Sequence, residues 1–171
     1  MKENWEHYIG DLKAGRENLG EEMPVVVYRL FEFTMKEAIA EKYGNQAAIT
    51  LFRDAGKRAG KKFCQELLDV SLEFTDFIKD LEKHMLTFKM GILRVEEVDQ
   101  NKHRMVITIS EDLDCSGLPI TGETVCNYDE GFLMGVLKEY TTHDYEVTEI
   151  DCWAKGGRIC RFKAIEKATN E

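Results

Sequence analysis

No run of apolar residues in this 171-residue chain is long enough to cross a bilayer, so a membrane-spanning role is excluded at the outset. The opening Met1-Lys2-Glu3-Asn4-Trp5-Glu6-His7 is charged and lacks the apolar stretch of a secretion signal, which makes the cytoplasm the expected location. A dense Lys/Arg stripe is missing too. Lys and Arg number 23 against 32 Asp and Glu, a net charge of −9. Nucleic acid and anionic lipid repel such a chain, so neither is expected as a partner. The nearest basic cluster, Lys57-Arg58 and Lys61-Lys62, is interleaved with Ala55, Gly56, Ala59, Gly60 and Phe63 and reads as the solvated face of a helix. No glycine-rich phosphate loop follows a strand, which argues against a nucleotide-binding reductase. His7, His84, His103 and His143 show no i,i+4 pairing and no nucleophile motif, so they read as surface residues. Repeats, low-complexity segments and an obvious linker are absent, and the length suits one domain. Its expected divisions are an N-terminal helical segment over 1–22, a single domain over 23–166 and a polar tail over 167–171.

The five cysteines are an odd count, poor material for a disulfide framework and better read as metal ligands plus spares. Cys64, on a helical stretch, reads as a small buried hydrophobe. The informative stretch runs from Cys126 to Cys160. Asn127 followed by Glu130 has the form of a capping box opening an amphipathic helix with Phe132, Val136 and Tyr140 on one face. Cys126 then lies just before a helix N-terminus, where the helix dipole favours the thiolate that binds metal. Tyr145 to Ile150 alternates as a half-buried strand, Lys155-Gly156-Gly157-Arg158 is a tight turn, and Ile159 to Ile165 returns as the partner strand. An odd loop centred on Gly156 sets Cys152 opposite Cys160. A two-residue Gly156-Gly157 loop sets them on opposite faces. With Cys126 brought over and Glu149 added, the count of four suits tetrahedral zinc. Glu149 and Cys152 differ by three, so both reach one ion only if the strand ends or bulges between them. Cys115, in the polar loop Glu111 to Thr121, offers a fourth cysteine, and a four-cysteine set also suits an iron-sulfur cluster.

These residues resemble the 4-vinyl reductase domain, a family also known as hydrocarbon-binding proteins. The shared pattern is Cys126, then Gly131-Phe132-Leu133-Met134-Gly135, Val147-Thr148-Glu149-Ile150-Asp151-Cys152, Ala154, Gly156 and Cys160-Arg161-Phe162. The same domain is similar to the sensing module of phenol-responsive transcription activators. There the equivalent three cysteines and glutamate hold a structural zinc, and the resemblance extends that role to Cys126, Glu149, Cys152 and Cys160. It also implies a fold shared with haem nitric-oxide sensors and with subunits of the TRAPP tethering complex, a homodimer, and a buried pocket for an apolar or aromatic small molecule. Phe31, Phe52, Phe77, Met105, Phe132 and Trp153 are candidates to line that pocket, or equally to fill an ordinary core. The function expected is binding or sensing rather than catalysis. The alternative is a reductase or accessory protein acting on a tetrapyrrole vinyl group, its electrons drawn from a partner or from a cluster at the cysteines.

The rest of the chain fills in an α+β domain with helices on one face of an antiparallel sheet. Lys2 to Leu19 predicts an amphipathic helix stopped at Gly20. Met23 to Phe31, β-branched at its start, predicts a strand that passes into a helix ending at Gly44. Asn45 is expected to cap a helix in which Gly56 and Gly60 admit another backbone, within the chain or across a dimer. Leu67 to Phe88 predicts a third long helix, and Met90 to Val98 with His103 to Ser110 a hairpin.

Overall fold

The computed structural model describes residues 5–168. Two short helices, α1 (Trp5–Ile9) and α2 (Leu12–Gly15), precede three long ones, α3 (Val25–Tyr43), α4 (Asn45–Leu67) and α5 (Phe74–Thr87). Strands β1 (Ile92–Asp99) and β2 (Arg104–Ser110) form a hairpin. A loop leads to α6 (Asn127–Thr141), and β3 (Tyr145–Asp151) and β4 (Ile159–Glu166) form a second hairpin. All pairings are antiparallel and the strand order is β1-β2-β4-β3, so the two hairpins join through β2 and β4. The fold is α+β, as expected.

Alternation fixes which face of the sheet is covered. Leu93, Met105, Ile107, Ile109, Val147, Cys160, Phe162 and Ala164 are buried, with α5 against β1 and α6 against β3. On the other face Arg161 pairs with Glu96 (2.8 Å) and Arg104 with Glu97 (2.5 Å). This is the division a one-sided antiparallel sheet requires.

The seam between α4 and α6 is made of glycine. A Cβ on Gly56 would lie 2.0 Å from the Tyr128 carbonyl oxygen, and one on Gly60 2.0 Å from that of Phe132. From the other side, Gly131 and Gly135 would meet Arg53 and Lys57 carbonyls at 2.0 and 2.2 Å. Two Gly-x3-Gly faces therefore interlock backbone to backbone, which no side chain permits. The glycines of α4 serve a contact within the chain.

Several local expectations need correction. Met23 to Phe31 holds no strand: α3 begins at Val25, directly after Pro24, whose extended geometry is suited to the residue before a helix. The strand preference of the valines is a weak prior that tertiary context overrides. The stretch from Lys2 to Leu19 is not one helix, because Gly10 (φ 63) separates α1 from α2; its first three residues, Lys2 to Asn4, lie outside the described residues. Asn45 is the first residue of α4 rather than its cap, and Gly44 (φ 87) makes the turn between α3 and α4. The third helix starts at Phe74, since Asp69 accepts hydrogen bonds from the Ser71 amide and hydroxyl and shapes a turn in between. Asn127 forms no capping box. Cys126 holds the cap position, and Asn127 donates to Glu130 Oε2 at 3.3 Å from the first turn.

Candidate metal centre

The β3–β4 hairpin solves both geometric problems posed by its sequence. Asp151 pairs with Arg161, so the next position of that register sets Cys152 against Cys160, as a loop centred on Gly156 demands. Gly156 takes φ 98, and the amides of Lys155 and Gly157 both donate to the Cys152 carbonyl, at 3.1 and 3.0 Å. The register then shifts between Glu149 and Asp151, leaving Ile150 as an extra residue. That bulge restores Glu149 and Cys152 to the same side, and both are buried.

Cys126 meets them from the start of α6, and Cys115 arrives from the loop after β2. The four sulfurs of Cys115, Cys126, Cys152 and Cys160 all lie within 4.8 Å of one another and are at most 1% exposed. Cys115 Sγ is 3.1 Å from Cys160 Sγ, and Cys126 Sγ is 3.9 Å from both Cys152 and Cys160. Such a cluster of buried cysteines could hold a metal. Without a cation its protons are unevenly shared. Thiols of Cys115, Cys126 and Cys160 donate to Cys152 and favour its thiolate, while hydrogen bonding to neighbouring sulfurs, together with burial, pushes the Cys126 and Cys160 thiols up. Cys64 is elsewhere, buried among apolar side chains, its thiol pushed up to about 12 by burial.

Glu149 lies beside Cys126 and Cys152, outside the set of four. Its Oε2 accepts the amides of Val125 (3.1 Å) and Cys126 (3.0 Å), whereas the buried Oε1 has no hydrogen-bond partner. Burial first, and then the charge of Cys152, push its carboxyl up to about 8. The chain holds Glu149 from behind as well: its amide donates to Glu130 Oε1 at 2.8 Å, and Glu130 faces Arg53 of α4 at 3.6 Å. Glu130 thus ties the start of α6 to the hairpin.

A feature the sequence reading missed adjoins the sulfurs. Glu32 of α3, Asp112 and Asp114 of the loop, and Asp129 of α6 are four buried carboxyls. Asp112 Oδ1 accepts the amides of Asp114 (2.8 Å) and Cys115 (3.2 Å), and Tyr28 donates its hydroxyl to Asp114 Oδ1 at 2.9 Å. Asp112 Oδ2, Asp114 Oδ2 and Glu32 Oε2 are left without partners. Burial and mutual repulsion push Asp114 up to about 7 and Glu32 up to about 8, and raise Asp129 well above the carboxylate range. The only sequence signal was an Asp-x-Asp-Cys run before a glycine.

The aromatic candidates divide. Phe77, Met105 and Phe132 belong to the core, where Phe77 stacks on Tyr140 at 3.8 Å and Phe132 meets Phe63 edge-on at 5.2 Å. Trp153 is half-buried and donates to the Leu118 carbonyl at 3.0 Å. Phe52 is half-buried on α4, with the Lys36 ammonium 5.9 Å from its ring centre. Phe31 stands apart on α3, 65% exposed. Two of the histidines that looked unrelated converge: His103 and His143 both contact Glu166.

Comparison with known proteins agrees with this picture. Residues 105–166 match the family model of the vinyl-4-reductase domain. The uncharacterized protein MJ1642 of Methanocaldococcus jannaschii is 28% identical over 148 residues, covering 86% of this chain and 80% of that one. Among solved structures, a vinyl-4-reductase family protein from the same organism superposes with a TM-score of 0.60 (19% identity, 87% of this chain, 85% of that one). The phenol-responsive sensory domain of the transcription activator PoxR, with phenol, gives 0.65 (12% identity, 86% and 78%). A trafficking protein particle complex subunit 3 from Naegleria fowleri, covalently bound to palmitic acid, gives 0.68 (15% identity, 84% and 95%). At these identities the likeness is one of fold. Among the described residues no helix is long and apolar enough to cross a membrane. The segment that supplies all four clustered sulfurs therefore carries the vinyl-4-reductase domain, on a fold shared with a phenol sensor and a trafficking subunit.

Proposed function

We propose that this chain binds a small apolar or aromatic molecule as a sensing or carrier module, with one structural zinc ion locking its hairpin to the start of α6. The observation that carries the zinc is the spacing of the sulfurs. A tetrahedral ion with zinc–sulfur bonds of about 2.3 Å holds its ligands about 3.8 Å apart, and the measured separations of 3.1, 3.9 and 3.9 Å straddle that figure. A multi-iron cluster would interpose iron and sulfide between the cysteines and needs them further apart. Cys126, Cys152 and Cys160 are common to any ligand set. Distance favours Cys115 as the fourth donor, while Glu149 waits beside it with one oxygen anchored by two amides and the other open. With all positions supplied by the protein and no exposed sulfur, the ion serves structure and leaves no position for a substrate.

The ligand class follows from solved relatives of the fold that hold phenol and palmitic acid. In this chain the core aromatics Phe77 and Phe132, with Met105, are the surfaces such a molecule would meet between helices and sheet; Phe52 and Trp153 lie at its margins. Thiols kept for metal suit a reducing cytoplasm. A second copy covering the exposed apolar side of α3 accounts for a homodimer. The reductase alternative needs an electron carrier, and closely spaced sulfurs around a single ion provide none.

Metal analysis of protein purified without oxygen tests the zinc, and calorimetry with phenol and with palmitate tests the ligand class. The colourless wild type is expected to hold zinc that Cys152→Ser and Cys160→Ser lose, with a loss of several kcal/mol of stability, because structural zinc contributes folding free energy directly. Cys64→Ser keeps its zinc. Serine in place of Cys115 or glutamine in place of Glu149 identifies the fourth donor by which one releases the ion. A brown protein with iron and acid-labile sulfide, silent to both probes, would turn the reading to electron transfer.

A further inference from the structure

The buried acids beside the sulfurs are not explained by a single zinc ion. Asp112, Asp129 and Cys126 offer one ligand atom each, all within 4.8 Å of one another, and all three residues are buried. Two ligands on opposite sides of an ion bonded at about 2.4 Å are about 4.8 Å apart, so the three atoms fit around one cation. Asp112 is prepared for such a role. It is 2% exposed, its Oδ1 is fixed by two backbone amides, and its Oδ2 has no partner. One oxygen oriented by the protein and the other left open is the form a metal-ligating carboxylate takes.

Charge points the same way. Glu32, Asp112, Asp114 and Asp129 together carry four negative charges when ionised, and the cations facing them are Arg29 and Lys36. Arg29 spends its hydrogens on the carbonyls of Leu113 (2.7 Å), Ser116 (2.9 Å) and Asp112 (3.4 Å). Lys36 donates to the Val125 carbonyl (3.0 Å) and to Asn127 Oδ1 (2.7 Å). Four negative charges less two positive ones leave two, the charge of one divalent ion. Uncompensated, such a cluster is costly to bury.

We propose that Asp112 and Asp129 hold a second divalent cation that shares the Cys126 thiolate with the first, so that the sulfurs and the acids form one two-ion centre. It rests on the zinc reading only through Cys126. A donor set of two carboxylates and one thiolate suits borderline ions such as zinc, cobalt or iron(II) rather than calcium or magnesium. Asp114, fixed by Tyr28, and Glu32 beyond it supply further negative charge around the second ion.

Cobalt(II) titration of the reduced, chelator-stripped full chain tests this, followed by visible absorbance and calorimetry. The wild type should take up two equivalents, the first producing strong thiolate-to-cobalt absorption and the second altering it through Cys126. Asp112→Asn and Asp129→Asn should each stop at one equivalent with the thiolate absorption kept. Without metal both should melt above the wild type, since a buried charge has been removed. Saturation of the wild type at one equivalent with thiolate absorption overturns the proposal and leaves the sulfur site standing. One equivalent without that absorption sinks the sulfur site as well. Two equivalents in either asparagine variant also overturn it. Should one variant fail to fold, the wild-type stoichiometry still decides.

Discussion

Helices α3 and α6 are both regular and of similar length, yet they are turned opposite ways in the molecule. α6 buries almost its whole first three turns, including the polar Asn127, Asp129 and Glu130. Among the residues of α3 only Glu32 is fully buried, while Val25, Val26, Val27, Leu30, Phe31 and Met35 face outward. What α3 turns inward is a polar stripe at helical spacing: Tyr28, Arg29, Glu32 and Lys36, each reaching the Asp112–Ser116 loop or the start of α6. The ordinary pattern of a surface helix is reversed. α6 is complete within one chain, because α4, the sheet and the hairpin surround it. α3 is built to clasp a polar site and leaves its apolar side for something else.

The largest effect that tests this contrast lies in the α4–α6 seam. Gly60→Ala places a methyl group 2.0 Å from the Phe132 carbonyl oxygen, and backbone on backbone cannot yield as a side chain does. Overpacking of this kind should cost about 3 kcal/mol or more, read from urea unfolding. Gly135→Ala should behave alike, from the opposite helix. A shift under about 1 kcal/mol in either would mean that α6 is not seated as described.

Much of the α6 side could be read from sequence and little of the α3 side, for a physical reason. The hairpin, its central glycine and the cysteines at 126, 152 and 160 are separated by local structure whose period and turn chemistry are written in adjacent residues. Even the bulge at Ile150 was implied, as a condition on Glu149 and Cys152 sharing a side. Membership of Cys115 depends on how an irregular loop lies over the sheet, and no period describes that. The acid cluster draws on residues 32, 112, 114 and 129, brought together only by tertiary packing. On α3, valines that suggest a strand are in a helix, and the apolar positions that suggest a core are outside. Both Gly-x3-Gly pairs were visible, but which backbone each admits is a property of the pair.

A smaller effect is expected from α3. Phe31→Asp should change the stability of the isolated chain by no more than about 0.5 kcal/mol, as for other exposed substitutions. Its consequence should appear in sedimentation, where a wild-type dimer becomes a monomer. If Phe31→Asp instead unfolds the chain as Gly60→Ala does, the side of α3 described as open is covered from within, and the contrast between the helices fails. A wild type that sediments as a monomer removes the second copy as the partner of this face.

The smallest effect belongs to the far end of the sheet, where a third kind of contact holds neither core nor site. Glu166 at the end of β4 joins His143, just before β3, to His103, just before β2, through its two carboxylate oxygens. The His143 contact above all, with His103 adding to it, holds its carboxyl below the usual range against a small opposing effect of burial. An acid whose folded pKa is depressed stabilises the fold above its unfolded value, about 4.3 for glutamate. That contribution disappears as pH falls through the lowered folded value. Glu166→Gln should therefore be slightly less stable than wild type near neutrality and equal to it in acid, in urea midpoints measured from about pH 6 downward. The metal content of the two proteins should be identical throughout, since Glu166 touches neither the sulfurs nor the buried acids. A difference that persists undiminished in acid would mean that Glu166 acts through shape rather than charge, as the packed residues of α6 do.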